Sequence, residues 1–356
     1  MDIIGYKNGY MGSHQNMNAR ILKLIAEIDE FKGFWRGMDR IAAETLSALR
    51  VLATIESIGS STRIEGARLT DRQVADLLHG IDTRSFQSRD EQEVAGYANA
   101  MRLIHETFTE IDLSENNIKY LHKIMMHHSS RDQWHLGEYK KNPNHVSAFD
   151  QDGNEIGIIF ETASPFETPG RMEELVESTR KKIRDNRDHP LLVISDFVVR
   201  FLAIHPFQDG NGRLSRILTN LLLLRAGYDY VQYSSHERIV EANKERYYLT
   251  LRNAQKALKD QSEPDFTWSE FFLEMMKTQK DELFEKINRE KMASTMPKLS
   301  QDILILAREH GQVTVSFLVK VLSANRNTVK KHVQQLHRSG KLVLHGKGRG
   351  AFYTQL

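Results

Sequence analysis

Two apolar runs and the short polar joint between them constrain this chain more than any other feature. Leu191 to Ile204 carries Leu192, Ile194, Phe197, Val198, Phe201 and Leu202 at the spacing of a buried helix. Leu214 to Leu224 is a second apolar run, and it stops at Gly227. Only a polar, glycine-containing string from His205 to Arg213 separates them. So short a connection predicts a helix–turn–helix joint, with polar chemistry held between two core helices.

The joint reads His205-Pro206-Phe207-Gln208-Asp209-Gly210-Asn211-Gly212-Arg213-Leu214-Ser215-Arg216. Gly210 and Gly212 permit backbone angles that side chains forbid. Their amides, with that of Asn211, suit an anion-binding nest at the start of a helix. A phosphate placed there gains roughly 0.3–1 kcal/mol from the helix dipole. Arg213 and Arg216 are three residues apart and share a helical face beside the nest. Guanidinium suits phosphate because it stays charged and donates two parallel hydrogen bonds. Asp209 is a hard oxygen ligand, and one carboxylate plus substrate phosphates is the usual way to hold Mg2+. His205 titrates near neutrality and suits the removal of a proton from an attacking hydroxyl. Phe207 reads as an apolar anchor. Taken singly, these residues have plainer readings: a buried histidine is usually a satisfied core group, and Gly-Asn-Gly is usually a turn.

As a whole, the string resembles the Fic family signature, His-Pro-Phe-x-(Asp/Glu)-Gly-Asn-Gly-Arg-x-x-Arg, at every specified position. The resemblance implies transfer of a nucleoside monophosphate, most often AMP from ATP, to a protein hydroxyl. It implies that His205 is the base and that Asp209 holds Mg2+. Asn211 and the loop amides of Gly210 and Gly212 would grip the inner phosphates, with Arg213 on the phosphates and Arg216 on the terminal one. Such a transfer needs mostly positioning and charge neutralisation. The glycine turn lacks the lysine of a P-loop.

Upstream stands Ser60-Ser61-Thr62-Arg63-Ile64-Glu65-Gly66. Alone, Thr62 to Glu65 fits a capping box at a helix start. Beside the signature, Ser61-x-x-x-Glu65-Gly66 resembles the inhibitory-helix motif of Fic proteins, (Ser/Thr)-x-x-x-Glu-(Gly/Asn). The resemblance then implies that Glu65 pairs with Arg216 and keeps it from the terminal phosphate. Gly137-Glu138-Tyr139-Lys140 resembles the family's Gly-x-(Phe/Tyr)-Arg, with lysine in place of arginine. Val146 to Phe149 and Glu155 to Phe160 read as two short strands around Gln151-Asp152-Gly153-Asn154, a hairpin signal. In the family this hairpin is a flap that lays the target segment alongside by strand pairing. Asn243-x-x-x-Tyr247-Tyr248-x-x-Leu251 resembles the segment lining the adenine pocket, which makes Asn243 and Tyr247 candidate contacts. An aromatic pair at this spacing equally suits a core.

The 356 residues are enough for two or three domains, and 40% hydrophobic with 27% charged residues is ordinary for a globular chain. A formal net charge of +2 selects no partner, and the absence of cysteine excludes disulfides, thiol nucleophiles and thiolate metal sites. No apolar run approaches membrane-spanning length, and Met1 to Met17 lacks a signal-peptide core, so a cytoplasmic protein without a membrane partner is expected. Met1 to Ser13 reads as a loose arm. Helices are expected over Ala19 to Phe31, Arg40 to Ile58, Arg72 to Leu78, Asp90 to Phe108, Ser114 to His127, Arg171 to Asp185, Arg238 to Gln255 and Asp265 to Glu290. Asp82 to Asp90 reads as a loop. His127 and His128, adjacent on a helix, read as surface histidines rather than metal ligands.

From Ser300 the character changes. Helices over Ser300 to Glu309, Ser316 to Leu322 and Asn325 to Ser339 precede strand-like Leu342 to Leu344 and Phe352 to Thr354. Three helices and a wing resemble a winged helix–turn–helix domain. Lys320, Arg326, Lys330, Lys331, Arg338, Lys341, Lys347 and Arg349 outnumber Asp302 and Glu309, which suits DNA phosphates, although a protein contact or homodimer is an equal use of such a fold. The expected fold class is all-α: a Fic helical core with a small β-hairpin flap, plus the C-terminal domain. The expected divisions are 1–112 (helical, with the inhibitory motif), 113–256 (catalytic), 257–297 (connector) and 298–356 (winged helix). The expected function is an autoinhibited protein adenylyltransferase that moves AMP from ATP to a hydroxyl of a target protein or of itself. The same site run in reverse, as a deAMPylase, and an ATP-sensing DNA-binding regulator without transfer are the alternatives.

Overall fold

The computed structural model describes residues 5–38, 43–80, 86, 88–144, 146–149, 155–260, 266–294 and 297–355. The described residues are mostly helical, and the chain divides into two compact units, Met1–Leu283 and Phe284–Leu356.

The first unit opens with α1 (Gly5–Gly37), which starts well before the expected Ala19. The arm reading is corrected from Gly5 onward: no proline interrupts this stretch, so a helix docked through Ile21, Leu24, Ile28 and Phe31 propagates back along it. α2 (Ala43–Ile64) runs six residues past its expected end at Ile58 and carries Ser61 within its last turn. The capping-box reading of Thr62 fails for that reason. Thr62 Oγ1 donates back to the carbonyls of Ile58 (2.9 Å) and Gly59 (3.0 Å), as a hydroxyl inside a helix does. α3 (Asp71–Gly80) follows, begun by reciprocal capping between Thr70 and Gln73. Most of the expected loop from Asp82 to Asp90 lies outside the described residues.

α4 (Arg89–Thr107) and α5 (Glu115–Met126) are capped by Ser88 and Ser114 and pack tightly together. The crossing needs Gly96, where a Cβ would meet the carbonyl oxygen of Met125 at 1.9 Å. Strands β1 (Val146–Phe149) and β2 (Glu155–Phe160) pair antiparallel over the expected spans; the turn from Gln151 to Asn154 lies outside the described residues. α6 (Thr168–Asp185) leads to α7 (Pro190–Ile204) and α8 (Asn211–Arg225), which pack on each other and are buried along nearly their whole length. These two are the core of the unit, with α4, α5 and α6 around them.

The single helix expected over Arg238 to Gln255 is two: α9 (His236–Ala242) and α10 (Lys244–Asp260). Asn243 breaks it by turning its side-chain amide onto the carbonyl of Ile239 (2.8 Å), a satisfying cap for a helix end. α11 (Thr267–Ser294) then runs along the chain into the second unit.

The second unit has α12 (Lys298–His310), α13 (Val315–Leu322), α14 (Arg326–Arg338) and an antiparallel pair, β3 (Leu342–His345) and β4 (Phe352–Gln355), with Val313 bridged to Tyr353. Its own core gathers Ile303, Ala307, Leu318, Val329, Val333, Leu336 and Leu342.

Candidate active site

The joint between α7 and α8 is built by backbone geometry first. α7 ends because His205 adopts the left-handed conformation (φ 53°), with its N–H on the carbonyl of Phe201 (2.9 Å). α8 begins because Gly210 is left-handed too (φ 79°), and a side chain there would press on Met125 and Met126. Between these turns Asn211 acts as a staple. Its Oδ1 accepts from the Phe207 N–H (2.9 Å) and its Nδ2 donates to the Phe207 carbonyl (2.7 Å). The Asn211 side chain is thus buried and spent on the loop, and what Asn211 offers a ligand is its main-chain N–H. The Phe207 ring stacks on His122 at 3.9 Å. His122 accepts the Gly137 N–H at Nδ1 (3.0 Å), which leaves Nε2 to donate to the carbonyl of Asp209 (3.0 Å).

Beside the joint lies a cavity of about 700 Å³. His205, Asp209, Gly210, Asn211, Gly212 and Arg213 line it from the signature, Glu65 from the end of α2, and Tyr247 from α10. Burial, and then the Lys140 ammonium, push the His205 imidazole down to about 4, so it is neutral at pH 7 and free to accept a proton.

The charges are arranged in two groups. In the first, Arg89 Nε meets Glu93 (2.7 Å), Glu93 meets Arg213 Nη1 (3.1 Å), Arg213 Nη2 meets Asp209 (3.3 Å), and Asp209 meets Arg89 Nη2 (3.2 Å). The ring closes on itself. Burial opposes charge on Asp209, but Arg213, the Gly210 N–H and Arg89 hold its carboxyl below the usual carboxylate range. In the second group, Arg216 Nη2 donates to Glu65 Oε1 (2.7 Å) and to the carbonyl of Ser61 (3.0 Å), and its Nε donates to Ser61 Oγ (2.8 Å). The Arg216 side chain is 4% exposed and that of Glu65 is 31%, so the carboxylate looks into the cavity. Burial works against its charge, and Arg216 wins by holding Glu65 below its ordinary value. Glu65 also lies against Gly212, where a Cβ would stand 2.1 Å from Oε1. Arg63, in the same turn of α2, clasps Glu241 of α9 at both oxygens (2.7 and 2.9 Å) and Asp71 of α3 (2.9 Å), and so fixes the helix end that carries Glu65.

The structure therefore brings Ser61, Glu65, His205, Asp209, Arg213 and Arg216 together. It does not bring Asn243, whose amide is engaged with Ile239 and which does not line the cavity. Tyr247 does line it, while also packing on Trp268 (5.5 Å) and Phe271 (6.2 Å), so its core and lining readings both hold. Sequence reasoning missed Arg89, Glu93, Lys244 and Arg252 as lining residues, whereas Tyr248 and Leu251 line the cavity from the segment quoted above. The signal was present: Arg89 and Glu93 are an i,i+4 pair, and Lys244, Tyr248 and Arg252 repeat every fourth residue along one face of α10.

A family model, the Fic/DOC family, matches residues 112–223. Among characterised proteins, the chain is 29% identical over 206 residues to the protein adenylyltransferase Fic of Drosophila yakuba, and 28% identical over 220 residues to that of Drosophila persimilis. These matches cover 56% and 59% of this chain but only 37% and 39% of those proteins, so the chain spans under two fifths of their length. Among solved structures, a Fic family protein from Desulfovibrio desulfuricans aligns over 95% of this chain and 96% of its own (TM-score 0.59, 22% identity). Fic-1 from C. elegans aligns over 82% and 80% (TM-score 0.62, 16% identity). At these identities the structural likeness is one of fold.

Proposed function

We propose that this chain, which carries a Fic domain over residues 112–223, is an autoinhibited protein adenylyltransferase. The observation that carries the reading is the convergence of a neutral imidazole, the Arg213 guanidinium and a glycine-rich helix start on one cavity, with the Glu65 that pairs with Arg216 in its wall. In the reaction, His205 takes the proton of a protein hydroxyl as the hydroxyl oxygen attacks the α-phosphorus of ATP. The new bond joins that oxygen to AMP, and the bond to the pyrophosphate oxygen breaks, releasing pyrophosphate. Main-chain N–H groups of Asn211 and Gly212 face the phosphates at the start of α8, that of Gly210 being held by the Asp209 carboxylate, and Arg213 neutralises their charge.

Asp209, whose carboxyl lines the cavity and is held below the usual carboxylate range, fits Mg2+ in the way one carboxylate does when substrate phosphates and water complete the shell. Bound there, the ion would supply charge neutralisation on the phosphates. Asp209 would leave its ion pairs with Arg89 and Arg213 to hold it.

Inhibition follows from the pair at 2.7 Å: while Glu65 and Ser61 occupy Arg216, the terminal phosphate lacks its clamp. The hydroxyl belongs to a target protein or to the chain itself. Tyr247 and Tyr248 are apolar surface for the base. The test is mass spectrometry of the protein incubated with ATP and Mg2+. A mass gain equal to AMP that disappears in His205→Ala is the expected result. Tight ATP binding with no transfer, even after Glu65 is removed, selects a nucleotide sensor instead. AMP release from a modified protein selects the reverse reaction.

For the C-terminal unit we propose DNA as the partner. The exposed face of α14 presents Arg326, Asn327, Lys330, Lys331, Gln334 and Arg338, and no acidic residue follows Glu309 in the sequence. That face suits entry into a groove with phosphates on either side. No helix among the described residues is long and apolar enough to cross a membrane.

A further inference from the structure

Lys140 is a buried cation, only 3% exposed, and its ammonium meets neutral acceptors among the described residues. An ammonium in such a place is costly unless each of its three donors finds an acceptor. All three do: Asn144 Oδ1 (2.8 Å), Thr162 Oγ1 (2.9 Å) and the Ile204 carbonyl (3.0 Å).

The positions of these acceptors give the cation its use. Ile204 is the last residue of α7, and its carbonyl is one that a helix end leaves unsatisfied. The Lys140 main-chain N–H bonds the carbonyl of Pro206 (2.8 Å). One residue thus grips the chain on both sides of His205. Asn144 lies just before β1 and Thr162 just after β2, so the same ammonium closes the stem of the hairpin. Thr162 Oγ1 also bonds the carbonyl of Asn144, and Asn144 Nδ2 reaches the carbonyl of Phe207 (2.6 Å). Base loop and hairpin stem meet at one nitrogen.

We infer that Lys140 is a positioning residue: it holds His205 in its left-handed turn and fixes the hairpin stem to the loop that carries the base. The inference rests on the reading of His205 as the base. Charge and geometry act together here. After burial, Lys140 is the largest influence that lowers the imidazole, while a hydrogen bond to the Leu202 backbone, and then Glu65 and Asp209, act on it in the opposite sense. Burial also lowers Lys140 itself to about 8, against a raising influence from Glu167 at the start of α6. The clamp is therefore complete while the nitrogen carries three protons, and weakens as pH rises through that value.

The experiment compares the full-length protein with Lys140→Met, which keeps the length and loses charge and donors, and with Lys140→Arg, which keeps the charge. Three quantities are read: the NMR titration of the His205 imidazole, identified by its absence in His205→Ala; amide exchange of 146–149 and 155–160; and incorporation of AMP. In Lys140→Met the imidazole titrates at higher pH, the strands exchange at least ten-fold faster, and incorporation falls at least ten-fold. Lys140→Arg restores the titration and most of the incorporation, and holds activity above pH 8. Thr162→Val provides the second variant should Lys140→Met not fold: exchange quickens and the imidazole stays as in the parent. An imidazole and hairpin unmoved in Lys140→Met overturn the inference, as does an unmoved hairpin in Thr162→Val. Titration and exchange are read without any transfer, so a chain that never adenylates still tests the role of Lys140.

Discussion

Replacing Glu65 by glycine removes the acid from a pair whose geometry is fully specified. Two unit charges about 4 Å apart between charge centres attract by roughly 4 kcal/mol at an effective dielectric of about 20. That gross value needs a discount, because the Glu65 side chain is 31% exposed into the cavity even though Arg216 is 4% exposed. Exposed pairs contribute about 0–1 kcal/mol, and loss of one partner of a buried pair costs about 3–5 kcal/mol. A pair buried on one side belongs between, at about 1–3 kcal/mol. If that energy stands between Arg216 and the terminal phosphate, Glu65→Gly raises AMP incorporation roughly 5- to 150-fold, at 1.4 kcal/mol for each factor of ten. Glu65→Gln keeps an acceptor for the Arg216 N–H and loses only the charge, so it falls between parent and glycine variant. The assay is time-resolved incorporation of labelled ATP at saturating Mg2+, with nucleotide affinity measured in parallel. Acid does not substitute for the mutation. The Glu65 carboxyl lies below its ordinary value, so the pair is intact above the carboxylate range and is lost only as pH falls through the depressed value. Incorporation by the parent should therefore show no release of inhibition between pH 6 and 8. An unchanged rate in Glu65→Gly, with ATP still bound, would refute the argument that this pair is the lock.

Two further outcomes follow from charge and burial. His105, His122 and His205 are all lowered to about 4 by burial, so each is neutral in the folded protein while an unfolded histidine protonates near pH 6.5. The unfolded chain then binds more protons, and stability falls as pH drops from about 6.5 towards 4, by about 1.4 kcal/mol per pH unit for each histidine. Thermal unfolding between pH 7 and 4.5 should show this fall, and His122→Phe should reduce its steepness. For the C-terminal unit, the full chain should shift a DNA duplex at low salt and release it as salt rises. Lys330→Glu with Lys331→Glu should abolish the shift; a shift that survives both changes removes α14 as the contact.

Much was legible before any coordinates. The α7–α8 joint, the strand spans Val146–Phe149 and Glu155–Phe160, and the gathering of His205, Asp209 and Arg213 around one turn all follow from patterns within a few residues of each other. Such patterns are local: helical spacing, a glycine that allows a left-handed turn, and a side chain whose charge is intrinsic to its type. The sequence could not say what each group would meet across the fold. Phe207 uses both ends of the Asn211 side-chain amide, which leaves the main-chain N–H for a ligand. Asn243 looks like a base contact until it is seen capping α9. Thr62 looks like a helix start until α2 is found to run past it. Arg89, Glu93 and Lys140 drew no functional role from sequence, because their partners Asp209, Arg213 and Ile204 lie 64 to 120 positions away. What the residues determined on their own was the set of available reactions. Only tertiary contact decided which groups are free, which are paired and which are spent on structure, since a hydrogen bond made across the fold depends on distances that neighbours along the chain do not set.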